Sequence, residues 1–221
     1  MVARTVEDQL REQYDTLLPE LTRVAEHLKT QIQYSILPIA RKLRHHEGLI
    51  VKARVKECNS AINKLQQYNP IDPSLPRNPG GVFDRDHPES YTLLDLRDLV
   101  GVRVLAFPSG ISIEVDKLLR SQFPDWTPDP IMDENGKQLA FKYYGRYAES
   151  TEGIQCEYQI VSKLIGLFWD VEHAAIYKQT PNFKRLERIM REQTSAVYCA
   201  LKAFEDEFER QIQISESNTT V

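Results

Sequence analysis

The chain has 221 residues, 41% of them apolar and 27% charged, with a formal net charge of −4 at pH 7. This composition is typical of one globular domain with helical appendages, and three widely spaced cysteines without a CxxC pair suggest neither a disulfide framework nor a zinc site. The acidic net charge argues against a surface that binds nucleic acids generally. No apolar run reaches ~20 residues and no signal peptide is visible, so we expect a soluble, cytoplasmic protein that does not bind membranes.

The first predicted elements are two helices. Apolar residues recur at helical spacing through residues 5–31, which predicts one buried stripe. Pro19 is expected to kink or divide this stretch, and a second helix is predicted over residues 32–46. The adjacent pair His45 and His46 has no further ligands nearby, which favours the surface of a helix end over a metal site.

Strands and helices then alternate. Residues 48–56 predict a strand and residues 57–68 a helix. Prolines and glycines collect between residues 69 and 91 and indicate a long loop, which in a compact domain is usually functional or mobile. Three further elements are predicted: a short helix over residues 93–100, a strand over 101–107 and an amphipathic helix over 112–122.

The second half of the chain predicts an antiparallel hairpin and two helices. Strands at residues 138–148 and from residue 153 onward are joined by the turn "ESTEG". A helix containing Trp169 follows, and residues 182–213 predict one long terminal helix. The sum is an α/β fold with a mixed β-sheet of about four to five strands flanked by helices. We predict three segments: an N-terminal helical segment (1–47), a core (48–180) and a C-terminal long helix with a frayed tail (181–221).

Basic residues alternate along the first predicted strand. Lys52, Arg54 and Lys56 share one face, where they repel one another unless solvent screens them or an anion bridges them. Ser60 and Lys64 follow, one turn apart, at the start of the next helix, where phosphate is attracted. The pattern is compatible with a phosphate site, and equally with an edge strand that lysines protect from aggregation.

Two carboxylates are candidates for chemistry. Asp98 lies at the junction of a predicted helix and a predicted strand, where it is a candidate magnesium ligand. It could equally be an ordinary polar residue at the end of the helix, paired with Arg97. Glu157 alternates with apolar residues and shares a face with Gln159, where it could be solvated surface or a base that accepts a hydroxyl proton. Trp169 on the following helix is interpreted as core packing.

Four motifs, in this order, resemble the synthetase domain of the RelA/SpoT family, which makes guanosine tetra- and pentaphosphate alarmones. The segment "ARVKECNSAINKL" is similar to the family's R-x-K-x-x-x-S-x-x-x-K pattern, and "RDLVGVRV" is similar to its D-[LI]-x-G-x-R-[IV] pattern. "EYQI" is similar to E-[VY]-Q-I, and "FWDVEHAAIYK" to the W-x-x-x-E-H-x-x-x-Y-K helix, with Phe168 in place of the family's Trp. The match rests there on Glu172, His173, Tyr177 and Lys178.

The resemblance implies a nucleotidyltransferase-like fold of the short, single-domain branch, and we expect neither the hydrolase domain nor the regulatory region of longer members. It implies transfer of the β,γ-pyrophosphate of ATP to a nucleotide 3′-hydroxyl, with ATP as donor, Mg²⁺ as cofactor and AMP as the second product. Glu157 would activate the hydroxyl, and Asp98 and Glu157 would bind the metal. The implied contacts to the ATP phosphates are Arg54, Lys56, Ser60, Lys64 and Arg103.

The acceptor loop departs from the family's N-G-Y-x-S-L-H pattern. Its counterpart is "NGKQLAF", residues 135–141, with Lys137 at the position of the Tyr that stacks on guanine. Nearby aromatic residues could replace this stacking surface, and either a guanine or an adenine nucleotide stays open as the acceptor. The acceptor-binding candidates are Lys137, Tyr143, Tyr144, Gln159 and His173.

Two other functions stay open. A toxin-type relative would pyrophosphorylate the 3′ end of tRNA, which needs a basic track beside the cleft; the acidic net charge argues against it. A non-catalytic relative would bind nucleotide or a partner protein through the same fold, although the retained Asp98 and Glu157 argue against that. The sequence also leaves open a homo-oligomer and an antitoxin as partners.

Overall fold

The computed structural model describes residues 5–66, 83–84, 88–133, 136–176 and 184–217, without the side chains of residues 173–192 and 216–217. None of the helices in this part of the chain combines the length and the apolar character that crossing a membrane requires.

One long helix replaces the two that the sequence predicts at the N-terminus. Helix α1 (Val6–Ala40) begins with a capping box, in which the Thr5 hydroxyl accepts a hydrogen bond from the Asp8 backbone N–H and the Asp8 carboxylate accepts one from Thr5. The predicted division at Pro19 is wrong. Pro19 and Pro38 both lie on the exposed side of α1, where water can bind the carbonyls that proline leaves without a partner.

A six-stranded mixed sheet forms the centre of the molecule, and four of its strands are long. The strands are β1 (Gly48–Val55), β2 (Val100–Phe107), β3 (Thr127–Pro128), β4 (Ile131–Met132), β5 (Gln138–Arg146) and β6 (Gln155–Ser162). Their order is β1-β2-β6-β5-β3, with β4 also paired to β5. Among the described strands, β2 and β6 alone pair in parallel, and the predicted hairpin of β5 and β6 is confirmed.

Helices cover the two faces of this sheet. Helices α1 and α3 (Ile111–Gln122) pack on one face, whose core continues through Val102 and Tyr158. On the other face α4 (Lys163–Ile176) packs Ile165 and Trp169 against the C-terminal ends of β2 and β6 and contacts α5 (Lys184–Ser217). Helix α2 (Cys58–Gln66) contacts α1, and its buried residues Ala61, Ile62 and Leu65 belong to the core on the first face.

The segment before β2 contains less helix than predicted. Instead of a helix over residues 93–100, one 3₁₀ turn (Leu93–Asp95) is capped by the Thr92 hydroxyl, and Leu96 is already extended. Leu93, Leu96 and Leu99 are all fully buried, so the chain follows the core surface before it enters the sheet. Most of the predicted loop at residues 69–91 lies outside the described residues; its described part includes a 3₁₀ turn at Pro88–Ser90.

Candidate active site

Two rows of polar side chains cross the sheet on the face that α4 leaves partly open. The first row follows the register Arg54, Gly101, Glu157 and Tyr144 from β1 to β5. The second row follows Lys52, Arg103, Gln159 and Lys142 in the same direction. Because side chains alternate between the faces of a strand, these residues project to one side and the apolar core residues to the other.

A pocket of about 120 Å³ opens over these rows. Its charged lining consists of three cations and two carboxylates, and a glutamine, a glycine and two small apolar residues complete the lining. The lining residues are Lys52, Ala53, Arg54, Gly101, Val102, Arg103, Glu157, Gln159 and Asp170. The predicted phosphate ligands Arg54 and Arg103 and the predicted base Glu157 therefore border a single cavity.

Glu157 is buried, with 4% of its surface exposed, and is held from two sides. Arg54 donates a hydrogen bond of 3.0 Å and Gln159 one of 3.1 Å, both to Glu157 Oε1. Gln159 in turn accepts a hydrogen bond from Arg103 Nε at 3.1 Å. A burial this deep excludes the solvated-surface interpretation of Glu157. An unpaired buried carboxylate would be costly, and these hydrogen bonds supply the partners that it needs.

Asp98 lies in the turn just before β2, where two lysines meet. Its Oδ2 atom lies 2.7 Å from Lys64 Nζ and 3.0 Å from Lys56 Nζ. Burial would raise the pKa of Asp98, but the two ammonium groups outweigh burial and hold that pKa below its ordinary value. Ser60 lies exposed on the first turn of α2, one turn before Lys64.

The other oxygen of Asp98 fits a metal ligand. Oδ1 is buried and has no hydrogen-bond partner, which is unusual for a buried carboxylate oxygen. A magnesium ion takes few protein carboxylates and completes its shell with water and phosphate oxygens. In the described residues no group of three or more His, Cys, Asp and Glu side chains could hold a metal ion.

Arg103 is the least exposed cation of the pocket, with 12% of its side chain accessible. It lies over the Trp169 ring, 5.5 Å from the ring centroid, and donates to Asp170 Oδ1 at 2.7 Å. Burial and the neighbouring Arg54 lower the pKa of Arg103, and Asp170 opposes this shift; a guanidinium stays protonated nonetheless. Trp169 is buried in the core under α4, as the sequence predicts.

The structure separates the predicted acceptor residues. Tyr144 pairs with Glu157 in register and shares its face, and burial together with the Glu157 carboxylate raises the pKa of Tyr144, which stays neutral. Tyr143 lies on the opposite face, stacked on Tyr158, and its hydroxyl donates to Asp116 at 2.6 Å. Tyr143 is thus a core residue, because neighbouring strand residues face opposite ways, and its predicted acceptor role is not supported.

The remaining acceptor candidates lie elsewhere. Lys137 is exposed in the turn before β5, where its backbone N–H donates a hydrogen bond to Asp133. It precedes Tyr144 by seven residues, which is roughly 20 Å along an extended strand. The side chain of His173 lies outside the described part of the structure. Of the five predicted acceptor residues, Tyr144 and Gln159 are the two that the described structure places beside Glu157.

Three charged residues at the site are not among the phosphate, metal and acceptor ligands that the resemblance implies. Lys52 and Asp170 line the pocket, and Lys142 forms an ion pair of 2.6 Å with Asp129 while lying 5.1 Å from the centroid of the Tyr144 ring. The alternation with Arg54 was a usable signal for Lys52. Asp170 gives no signal in sequence, because its partner Lys52 lies 118 residues away.

Comparison with known proteins finds similarity in structure only. No family model matches the sequence, and no curated protein does. The small alarmone synthetase 1 from Bacillus subtilis matches with a TM-score of 0.62 and 16% identity, over 91% of this chain and 98% of that one. That enzyme has also been solved bound to AMPCPP and bound to its product pppGpp.

A second solved structure gives the same result. A GTP pyrophosphokinase family protein from Streptococcus pneumoniae matches with a TM-score of 0.61 and 20% identity, over 92% of this chain and 96% of that one. Near-complete coverage of both chains means that the helices at either end belong to the shared architecture. The chain has the fold of the small alarmone synthetases, which confirms the predicted fold class.

Proposed function

We propose that this protein is an ATP-dependent pyrophosphokinase that transfers the β,γ-pyrophosphate of ATP to the 3′-hydroxyl of a purine nucleotide. The observation that carries the proposal is a deeply buried, hydrogen-bonded Glu157 at the border of a pocket lined by three cations. The fold agrees with it, since the similar synthetase from Bacillus subtilis binds an ATP analogue and the product pppGpp.

The donor would lie over β1 and β2. Arg54 and Arg103 line the pocket and would bind the phosphates, and Lys56 and Lys64 would extend this contact towards α2. These cations pair with carboxylates in the structure, so that binding of a polyanion would exchange one set of ion pairs for another. Fixed cations at a transferred phosphoryl group stabilise the charge that develops there.

Asp98 and Glu157 would hold a magnesium ion together with the phosphates, and the bound ion would neutralise charge on the transferred group. Asp98 offers its unpartnered Oδ1 atom, and Glu157 lies near the start of β6, beside the strand that Asp98 precedes. The ion pairs of Asp98 with Lys56 and Lys64 keep its carboxylate ionised, which is the state that a metal requires.

Glu157 would act as the general base. It takes the proton of the acceptor 3′-hydroxyl while that oxygen bonds to the β-phosphorus of ATP; the bond from this phosphorus to the oxygen bridging the α-phosphate breaks, and AMP leaves. Arg54 and Gln159 both donate to Oε1 and so fix the orientation of the carboxylate. A base held in one orientation accelerates the reaction more than a mobile one, because the geometry of attack is set before the reaction begins.

The acceptor base would stack on Tyr144. This ring lies on the face of Glu157 and next to Lys142, on β5, and β6 separates it from the donor cations of β1 and β2. Stacking on an aromatic face is tolerant of the base, so a guanine or an adenine nucleotide would satisfy it. Tyr144 would thus replace the family's stacking Tyr, whose position Lys137 occupies.

The experiment that tests the proposal is incubation of the purified protein with γ-³²P-ATP and Mg²⁺ against separate acceptors: GDP, GTP, the adenine nucleotides and bulk tRNA. Label on a guanine or adenine nucleotide is the expected result. Label on tRNA alone would replace the proposed acceptor with an RNA end. No label on any of them, with ATP still bound, would leave a nucleotide-binding protein without this activity.

A further inference from the structure

One carboxylate stands among the cations of the donor pocket without a place in the proposed chemistry. Asp170, on α4, accepts hydrogen bonds from Lys52 Nζ at 3.0 Å through Oδ2 and from Arg103 at 2.7 Å through Oδ1. Each oxygen of the carboxylate thus binds a different cation. A phosphate group would bridge the same two cations in the same way, with one oxygen on each.

The two sides of this contact differ in burial. Arg103 is almost enclosed, between Trp169 and Gln159, and cannot leave without losing those contacts. Asp170 and Lys52 each have 45% of their side chains exposed. Their side chains can therefore turn towards water at little cost, so Asp170 is the partner that an incoming anion would displace.

We infer that Asp170 is an internal competitor for the donor's phosphates, which sets the affinity of the pocket for ATP. This inference rests on the proposed function, because it assumes that the pocket binds the donor. Without donor, Asp170 neutralises Lys52 and Arg103. In the donor complex phosphate oxygens take its place, and the loss of the ion pairs of Asp170 makes the free energy of donor binding less favourable. Removing the charge of Asp170 should tighten donor binding about three- to tenfold, the range expected for one exposed and one partly buried pair.

The test compares Asp170→Asn with wild type in full-length protein, by calorimetric titration with AMPCPP and Mg²⁺ and, separately, with inorganic tripolyphosphate. Glu26→Gln is the matched control, since it removes one negative charge from an exposed pair with Lys29 on α1. Both probes should bind Asp170→Asn about three- to tenfold more tightly, while Glu26→Gln should stay within twofold of wild type. Equal or weaker binding by Asp170→Asn would overturn the inference and make Asp170 a positioning residue for Arg103.

Thermal unfolding gives a second readout that separates this role from a structural one. Without ligand, Asp170→Asn should unfold at a lower temperature, because Lys52 and Arg103 lose a neutralising partner. With AMPCPP, its stabilisation should exceed that of wild type. If wild type binds AMPCPP and transfers pyrophosphate but this excess is missing, the inference fails alone; if wild type binds no AMPCPP, the proposed function fails and the inference fails with it.

Discussion

Gly101 lies in β2 between the two residues that we place at the reacting groups. A Cβ atom added at Gly101 would come within 3.2 Å of both Arg54 Nε and Glu157 Oε1, and within 3.4 Å of Glu157 Cγ. Contacts at 3.2 Å are tighter than nine in ten real Cβ contacts, so a neighbour must move by a few tenths of an ångström. Arg54 is half exposed and can move, whereas Glu157 is enclosed and would be displaced within its hydrogen bonds.

The expected effect of Gly101→Ala follows from this displacement. A misplacement of about 1 Å can cost about 10²-fold in rate, so a shift of a few tenths should lower kcat roughly tenfold. Crowding of the buried strand should also cost about 1 kcal/mol of the free energy of unfolding, at the lower end of overpacking effects. For a domain of this size that corresponds to a fall in Tm of about 2–4 °C.

The assay is steady-state pyrophosphate transfer with the acceptor identified by labelling, together with thermal melts by circular dichroism. Gly48→Ala, at the start of β1, is the matched control, since a Cβ there meets nothing within 4 Å. The control should keep wild-type kcat and an equal or slightly higher Tm. A Gly101→Ala protein with wild-type kcat and a lowered Tm would refute the reasoning, because Glu157 would then be crowded without being needed.

Two further changes test the acceptor face and the packing of α5. Tyr144→Ala should raise KM for the acceptor roughly fivefold to a hundredfold, because stacking of a base on an aromatic ring contributes about 1–3 kcal/mol. Tyr143→Phe, on the opposite face of the sheet, should lower Tm and leave this KM unchanged. Equal effects of the two substitutions on KM would contradict the assignment of faces. Burial raises the pKa of Glu205, which accepts a 2.5 Å hydrogen bond from Ser162. A carboxyl group whose pKa is raised by folding contributes stability below its ordinary pKa of 4.5, and this stability is lost as pH rises through the pKa of the folded state. Glu205→Gln should therefore raise Tm at pH 7.5, where the wild-type carboxyl is ionised at a cost, and have little effect at pH 4.5. Melts that show the larger gain at pH 4.5 would contradict this sign.

Local patterns were sufficient for most of the elements. The alternating pattern predicted β1 and β6, and the turn between β5 and β6 predicted their pairing. The helix division at Pro19 could not be judged from sequence, because the effect of a proline depends on whether its freed carbonyl meets water. Two-residue strands such as β3 and β4 are too short for any periodicity.

The candidate site was predictable in part. The motifs identified Arg54, Asp98 and Glu157, and the structure places Arg54 and Glu157 around one pocket and Asp98 at the start of the neighbouring strand. Which of two adjacent tyrosines faces the site depends on strand register, and a shift of one residue would exchange Tyr143 and Tyr144. Ion pairs across the fold, such as those of Asp170, depend on how α4 packs on the sheet and have no local signature.

The most direct measurement of the central claim is AMP release from ATP in the presence of Mg²⁺ and the identified acceptor, by wild type and by Glu157→Gln. The substitution keeps the shape of the side chain and removes its basicity, so AMP release should fall by ~10²-fold or more, while AMPCPP should still bind when its affinity is measured without Mg²⁺. An equal rate of acceptor-dependent AMP release by the two proteins would show that Glu157 is not the base and that the pocket works by other chemistry.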